Sequence, residues 1–236
     1  MSTAKRRLIV NADDLGMHPE VDAGILEAHR DGIVTSASVM VRRPSAADGA
    51  KRAVAATSLS LGLHIDFSEW DYRDGRWQAN YDRVDSQDTD AVRAELHAQL
   101  ELFRDMVGRD PTHLDSHQHI HAHEPVRSVA TELATTLGVP LRNRTPGITY
   151  RGDFYGQSNT GEPYPSAISR ESLCRLLRDL PDGITELGCH PGRAIDLGVS
   201  SYAKERSTEL DTLSDPAILA AITSEEIELI SFASLR

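Results

Sequence analysis

The sequence contains few cysteines and no long hydrophobic run. Its two cysteines, Cys174 and Cys189, are too few for a disulfide framework, so a reducing compartment is the simplest one and a cytoplasmic protein is expected. No apolar stretch has the length needed to cross a bilayer, and the apolar residues before Asn11 are too few for the core of a signal peptide. These absences predict a protein that works without a membrane.

Basic residues are in the minority, with 25 Lys and Arg against 36 Asp and Glu and a formal net charge of −11. This balance argues against binding to a nucleic-acid backbone and favours a small or neutral substrate. The sequence also lacks internal repeats, low-complexity tracts and linkers. With 236 residues and 39% hydrophobic content, the chain is expected to form one domain over residues 1–236.

What the sequence does contain is an alternation of short, β-rich apolar runs with segments of helical period. This pattern is typical of an α/β fold with a parallel sheet. Helices are predicted near residues 19–31, 88–107 and 125–137, the first closed by Gly32 as a left-handed cap. About seven strands are predicted, near residues 7–12, 35–41, 59–65, 112–116, 139–143, 184–189 and 227–232.

Two long stretches, residues 66–88 and 145–167, follow predicted strands and show no clear period. Long loops without secondary structure in a compact domain are usually functional. The two stretches hold both tryptophans and several tyrosines. These aromatic rings either stack on sugar faces or anchor the loops to the body of the protein, and the sequence leaves both interpretations open.

Polar side chains gather where predicted strands end. Asp13 and Asp14 end the first strand, His64 the third, His117 the fourth and His190 the sixth. Active sites of parallel α/β folds form at the carboxyl ends of the strands, so these five residues are expected to lie close together.

A carboxylate with two imidazoles is a suitable ligand set for a catalytic divalent metal. The sequence predicts Asp14, His64 and His117 as the ligands, with Asp13 left free as a base. Adjacent strand residues point to opposite faces, so the two acids can share a site only where the strand turns or ends. Taken singly, the acid pair could equally be solvated or cap a helix, and each histidine could be structural.

The stretch "THLDSHQHIHAHEPV" contains five histidines within eleven positions. A helix is predicted to begin soon after it, so too little extended chain remains for all five to share one face. His117, at the strand end, is the predicted ligand, whereas His113 is expected to pack along the strand and His123 to mark the helix entry. His119 and His121 are candidates for supporting a ligand or contacting substrate. A surface chelator is the alternative interpretation of the run.

Four motifs, in order along the chain, resemble the YdjC family of carbohydrate deacetylases, which includes chitooligosaccharide deacetylases. They are "LIVNADDLGMHPEVDAGILEAHRDGIVTSASVMV", "LGLHIDF", "PTHLDSHQHIH" and "LGCHPG". The resemblance implies a TIM-barrel-like (β/α) fold and one divalent metal ion, magnesium in this family. It assigns the ligand roles to Asp14, His64 and His117 and the catalytic base to Asp13. The chain departs from the family's "NADDFG" and "DSHHHVH" at Leu15 and Gln118.

The predicted function is a metal-dependent hydrolase that removes acetyl groups from N-acetylated sugars or oligosaccharides with a metal-activated water. His190 is predicted to protonate the leaving amine or hold the base, with a structural role as the alternative. Arg142 is predicted to bind a sugar hydroxyl or orient Asp13. A non-catalytic metal- or sugar-binding barrel and a metallophosphatase are the competing functions. The sequence leaves the identity of the native ion open between magnesium and zinc, cobalt or nickel. It also leaves the oligomeric state open, with a homodimer as one possibility.

Overall fold

The computed structural model describes residues 5–193 and 202–235. The strands in the described residues are β1 (Arg6–Leu15), β2 (Ser36–Val39), β3 (Ser60–Ile65), β4 (Ser68–Arg73), β5 (Arg76–Asp82), β6 (Leu114–Ser116), β7 (Ile148–Arg151), β8 (Gly183–Cys189) and β9 (Glu228–Leu229). The α-helices in the described residues are α1 (Pro19–Asp31), α2 (Ala46–Ala55), α3 (Thr89–Val107), α4 (Val126–Leu137), α5 (Arg170–Arg178), α6 (Lys204–Leu213) and α7 (Pro216–Ser224).

A parallel sheet with the order β6-β3-β2-β1-β8-β7 forms the centre of the molecule, and β9 also pairs with β1. β1 is buried along most of its length, as expected of a strand covered on both faces. The sheet curls into a half-barrel, and within the described residues no ladder joins its edge strands β6 and β7. The predicted parallel α/β fold is confirmed, whereas closure into a complete TIM barrel stays a prediction.

The strand prediction is wrong in the region that follows α4. Residues 139–143 do not form a strand, because only an isolated bridge joins Leu141 to Leu114 and the left-handed backbone of Asn143 (φ 54°) ends the extended segment. The edge strand β7 lies instead inside the stretch 145–167 that the sequence suggested to be a loop.

The three predicted helices are present as α1, α3 and α4. Asp88 caps the start of α3, where its side chain accepts hydrogen bonds from the N–H groups of Asp90 and Ala91, and the left-handed Gly108 caps its end. The apolar stripe of α3 is buried and consists of Val92, Leu96, Leu100, Phe103 and Val107. α1 ends at Gly32 with φ −125°, so the predicted left-handed cap is wrong there. None of the helices in the described residues combines the length and apolar character required of a membrane span.

The stretch 66–88 is not structureless, because β4 and β5 form an antiparallel hairpin outside the main sheet. Asp74 and Gly75 connect the two strands with positive φ angles of 53° and 74°. Two consecutive left-handed residues match the right-handed twist of the flanking strands, and an Asp-Gly pair adopts this conformation readily. The hairpin stands beside the carboxyl ends of β1 and β3 and forms one side of the cleft described below.

Candidate active site

One cavity of about 450 Å³ opens at the carboxyl ends of the parallel strands. The structure places the five predicted strand-end residues around it: Asp13, Asp14, His64, His117 and His190. They come from β1, β3, the segment after β6 and the segment after β8. The parallel arrangement explains this convergence, because it brings the ends of strands far apart in sequence to one rim.

Asp14 reaches this cavity because the backbone turns at the end of β1. Its φ is 71°, in the left-handed region that residues other than glycine seldom adopt. The register between β1 and β2 shifts between Ala12 and Leu15, so the regular alternation of side chains is interrupted there. Asp13 and Asp14 therefore face the same space. Strained backbone of this kind concentrates at functional sites.

Asp14, His64 and His117 form a group whose candidate ligand atoms lie within 4.8 Å of one another. Oδ1 of Asp14 is 3.3 Å from Nε2 of His64 and 3.1 Å from Nδ1 of His117. The opposite ring nitrogen of His64, Nδ1, lies 2.9 Å from Oδ1 of Asp115. A carboxylate behind a histidine in this way fixes the ring and presents its other nitrogen to a metal. The three residues thus fit a divalent ion.

The charges around His64 favour a cation at this place. Burial opposes a charged imidazole, yet the carboxylates of Asp115, Asp14 and Asp13 outweigh it and raise the pKa of His64 to about 10. A second group, Asp13, His64 and Asp115, also has the spacing of a metal site. There the guanidinium of Arg142 already neutralises both acids, so the group containing Asp14 is the better candidate.

Arg142 holds Asp13 with two hydrogen bonds, from Nη1 to Oδ2 at 2.6 Å and from Nη2 to Oδ1 at 2.7 Å. Asn11 donates a third to Oδ1 at 2.8 Å. Burial works to raise the pKa of Asp13, but the Arg142 guanidinium outweighs it and keeps that pKa below its ordinary value. Asp13 is therefore an ionised carboxylate in a fixed orientation.

Arg142 itself is 2% exposed and does not line the cavity. Besides Asp13 it contacts Asp115 at 2.9 Å and Glu186 at 2.6 Å. Three carboxylates thus occupy its guanidinium. Of its two predicted roles, this geometry favours the orientation of Asp13 over a direct contact with sugar.

Asp115 was not singled out by sequence reasoning, although it is completely buried at the centre of the network. It accepts hydrogen bonds from Ser38 at 2.8 Å and Asn11 at 3.1 Å, in addition to its contacts with His64 and Arg142. Asp115 is the direct partner of His64 in the register between β3 and β6. An acid two positions before the predicted ligand His117 is visible in the sequence, but its burial and its pairing with His64 depend on the register between β3 and β6.

His190 lies between the two acids Asp13 and Glu209. Its Nε2 is 3.8 Å from Oδ2 of Asp13, and its Nδ1 is 3.9 Å from Oε1 of Glu209. The backbone N–H of His190 and the hydroxyl of Tyr202 both donate to Glu209. Burial lowers the pKa of His190 to about 4 and raises the pKa of Glu209 to about 8. At neutral pH the pair therefore keeps one proton, on the glutamate side.

A family model described as YdjC-like protein matches residues 7–224. The chain belongs to the YdjC-like family. Among its relatives, a carbohydrate deacetylase of Geobacillus stearothermophilus is 34% identical and the match covers 96% of this chain and 97% of that protein. A chitooligosaccharide deacetylase of Citrobacter koseri is 30% identical, with 97% and 98% covered. The predicted family of carbohydrate deacetylases is confirmed.

Solved structures share the fold of this YdjC-like chain. A crystal structure from Enterococcus faecalis, of a protein whose name refers to cellobiose-phosphate cleavage, matches with a TM-score of 0.80 at 26% identity, covering 98% of this chain and 99% of that one. A family 4 carbohydrate esterase of Streptomyces lividans matches with a TM-score of 0.58 at 11% identity, covering 98% and 96%. The second likeness shows the fold alone.

Arg206 is a further buried residue of the YdjC-like site that sequence reasoning did not find. Its Nη2 donates to Oδ2 of Asp14 at 2.6 Å, so it engages one carboxylate oxygen and leaves Oδ1 toward the two histidines. It lies on α6, 192 residues further along the chain. Neither its spacing nor its surroundings in the sequence mark it.

The other histidines of the run have separate places. His113 is buried and stacks on Phe232 with ring centroids 3.9 Å apart, and His123 is exposed. His121 is buried beneath the site, where its Nε2 lies 3.2 Å from the carbonyl oxygen of Arg142. His119 lines the cavity, and its Nε2 is 3.5 Å from the hydroxyl of Tyr150. Of the two candidates for a substrate contact, only His119 reaches the cavity.

Proposed function

We propose that this protein is a metal-dependent carbohydrate deacetylase, in which Asp14, His64 and His117 hold one divalent ion and Asp13 is the general base. One observation carries the proposal: a three-residue group with metal-ligand spacing and a separately held, ionised acid share one cavity. The carbohydrate deacetylases among its relatives support the same reaction. A pure metal- or sugar-binding site needs no such acid beside its ligands.

The reaction is hydrolysis of the amide that joins an acetyl group to a sugar amine. A bound divalent ion supplies Lewis acidity, which lowers the pKa of a water ligand and polarises the acyl oxygen. Asp13, oriented by Arg142, accepts the proton of the water that attacks the acyl carbon. The carbon–nitrogen bond then breaks, and acetate and the amino sugar leave.

We assign the proton that the departing amine needs to Nε2 of His190, with Nδ1 of the same ring taking up the proton that Glu209 holds at neutral pH. The His190 ring lines the cavity on the same side as Asp13, and Glu209 stands behind it with a dissociable proton at neutral pH. Glu209 is thus a positioning residue that acts through His190. His119, which lines the cavity next to Tyr150, is proposed to contact the bound sugar.

The donor set bears on the choice of metal. Two imidazoles and one carboxylate suit zinc, cobalt or nickel at least as well as magnesium, which prefers oxygen ligands. The ion is best identified by measuring the metal content of the purified protein by mass spectrometry, followed by chelation and recovery of activity with each ion in turn.

An acetate-release screen tests the function. The metal-loaded protein is incubated with N-acetylglucosamine, its β-1,4 oligomers and other N-acetylated sugars, and acetate is measured enzymatically. Release from at least one sugar, abolished by chelation, is the expected result. Full metal occupancy with no acetate from any sugar contradicts the proposal and favours the binding function, whereas phosphate release from sugar phosphates without acetate release favours the phosphatase.

A further inference from the structure

We propose that the β4–β5 hairpin carries a second sugar-binding subsite, which holds a neighbouring sugar of a neutral oligosaccharide while the sugar to be deacetylated lies at the metal group. The inference rests on the proposed function and extends it to the substrate class. It depends on four features of the cavity: an exposed aromatic face on the hairpin, uncharged polar lining groups, the pairing of the lining arginine Arg206 with Asp14, and an anchor beside the proposed ligand His117.

The aromatic face consists of Trp70, Tyr72 and Trp77, which are 40%, 38% and 52% exposed and line the cavity. Tyr72 and Trp77 are direct partners in the antiparallel register, with ring centroids 5.6 Å apart. Trp70 is two residues before Tyr72 and therefore projects from the same face of the ribbon. Large aromatic rings exposed on a ribbon at the mouth of a cavity are typical of a binding surface rather than of a core.

The cavity is also lined by uncharged polar groups. Gln157, Ser158 and Asn159 contribute amide and hydroxyl groups, and the Gln157 amide also donates to Glu205 at 3.2 Å. A pyranose ring has apolar C–H faces and a hydroxylated edge. A cavity lined by both aromatic rings and neutral hydrogen-bonding groups complements both parts of such a ring.

The charges of the cleft point to a neutral ligand. Among the lining residues that the structure describes, Arg206 is the only lysine or arginine, and its guanidinium contacts Asp14 at 2.6 Å. Phosphate groups are recognised by arginine forks or lysines that are available to them. The acidic residues Glu69 and Asp71 also line the cavity, and Arg43 pairs with Glu69 at 2.6 Å. A sugar phosphate would therefore meet no arginine or lysine among the described lining residues that is not already ion-paired, whereas a neutral oligosaccharide needs none.

Gln118 attaches the hairpin to the metal-binding run. Its side-chain amide makes two hydrogen bonds with the backbone of Trp70, accepting from the N–H at 3.0 Å and donating to the carbonyl oxygen at 2.7 Å. It directly follows His117 and has a left-handed backbone (φ 48°). This is the position at which the chain departs from the histidine of the family motif. Gln118 thus places the aromatic face at a fixed position relative to the metal group.

Tryptophan fluorescence tests the subsite without requiring turnover. The chain has two tryptophans, Trp70 and Trp77, and both lie on the hairpin. The metal-loaded Asp13→Asn variant is titrated with N-acetylglucosamine, N,N′,N″-triacetylchitotriose and a phosphorylated disaccharide. We expect a saturable change with the trisaccharide at a Kd at least about tenfold below that for the monosaccharide. Equal Kd values, no response, or tighter binding of the phosphorylated sugar would overturn the inference.

Activity measurements with matched variants provide the second test. Trp77→Ala is expected to lower the ratio of kcat/KM for the trisaccharide to kcat/KM for the monosaccharide about tenfold, and Trp77→Phe to retain most of that ratio. Tyr164→Ala is the control, because Tyr164 is a 56% exposed aromatic residue that does not line the cavity. A ratio that is unchanged in Trp77→Ala, or lowered equally in Tyr164→Ala, counts against the subsite.

The two tests separate the subsite from the proposed function. A fluorescence response to the trisaccharide without acetate release from any sugar supports the subsite and contradicts the deacetylase. Acetate release from both sugars with no selective effect of Trp77→Ala supports the deacetylase and overturns the subsite.

Discussion

The floor of the cleft and its rim differ in burial and in the number of contacts that hold their side chains. On the floor, Asp13, Asp14, His64, Asp115 and Arg142 are at most 3% exposed, and hydrogen bonds or ion pairs hold each of them from several sides. On the rim, Trp70, Tyr72 and Trp77 are 38–52% exposed on a two-stranded ribbon outside the main sheet. Catalytic side chains need a fixed geometry, which the ends of sheet strands provide. The sequence of a separate hairpin can change without moving those side chains.

This difference predicts a division of effects. Substitutions on the floor should abolish metal binding or turnover for every substrate, because the floor residues share one network. Substitutions on the rim should change the preference among substrates and leave the network intact. The largest effect is expected for the proposed metal ligands and the smallest for the stability of the hairpin.

His64→Ala should lose both the metal and the activity. The variant removes a proposed ligand whose Nε2 faces Asp14 and whose Nδ1 contacts Asp115. Isothermal titration with the native ion and acetate release are the measurements. His123→Ala is the matched control, because His123 belongs to the histidine run but is exposed and should behave as wild type. Stoichiometric metal binding by His64→Ala would show that the ligand set is wrong.

Asp13→Asn should retain the metal while kcat falls by about 10²- to 10⁴-fold, the usual contribution of a general base. The fold should survive, because Arg142 keeps Asp115 and Glu186 as partners. Metal content, circular dichroism and single-turnover acetate release are measured on the same preparation. Wild-type turnover in this variant would exclude Asp13 as the base.

Part of the candidate site could be predicted from the sequence alone. Asp13, Asp14, His64, His117 and His190 could be predicted, because residue type and position at a strand end are both local properties. Parallel strands then bring the five together without further information. The cytoplasmic compartment and the single domain stay predictions.

The supporting residues could not be predicted in the same way. Arg206 and Glu209 lie on α6, and their contacts with Asp14 and His190 depend on where that helix packs against the sheet. Asp115 lies within a strand of three residues, where its partner His64 is fixed by the register between strands. Packing and register are not local properties of a sequence. In contrast, the hairpin had a local signal, the Asp74–Gly75 turn.

Asp115→Asn tests whether the buried support of a ligand matters as much as the ligand does. An asparagine fills the same volume but carries no charge to fix the protonated Nδ1 of His64. Loss of such a partner usually weakens metal binding 10- to 100-fold. Competition with a chelator of known affinity measures the change. An unaltered affinity would mean that Ser38 and the strands alone orient His64.

Glu209→Gln tests whether Glu209, next to His190, has a raised pKa in the folded protein. Burial raises the pKa of Glu209 to about 8 in the folded protein, above its ordinary value of 4.5. The stabilisation from this group is therefore complete below about pH 4.5 and is lost as the pH rises toward 8. The variant lacks this dependence, so its Tm should fall less than that of wild type between pH 5 and pH 8.5. Parallel Tm curves would contradict the raised pKa.

The positioning role of Glu209 has its own measurement. If Glu209 acts through His190, Glu209→Gln should lower kcat more than KM and shift the alkaline limb of the pH–kcat profile, which a purely structural role would not move. A proportional loss at every pH with an unshifted limb would assign Glu209 to the fold alone.

The smallest expected effect is on the stability of the rim. Trp77→Ala should change the free energy of unfolding by no more than about 0.5 kcal/mol, as exposed substitutions away from buried networks usually do, because Trp77 is 52% exposed and its main ring contact is Tyr72. Arg142→Met, by contrast, leaves buried carboxylates unpaired and should cost about 3–5 kcal/mol. Urea unfolding of both variants measures the difference. Comparable losses would mean that the hairpin is part of the folding core, and the division between floor and rim would then fail.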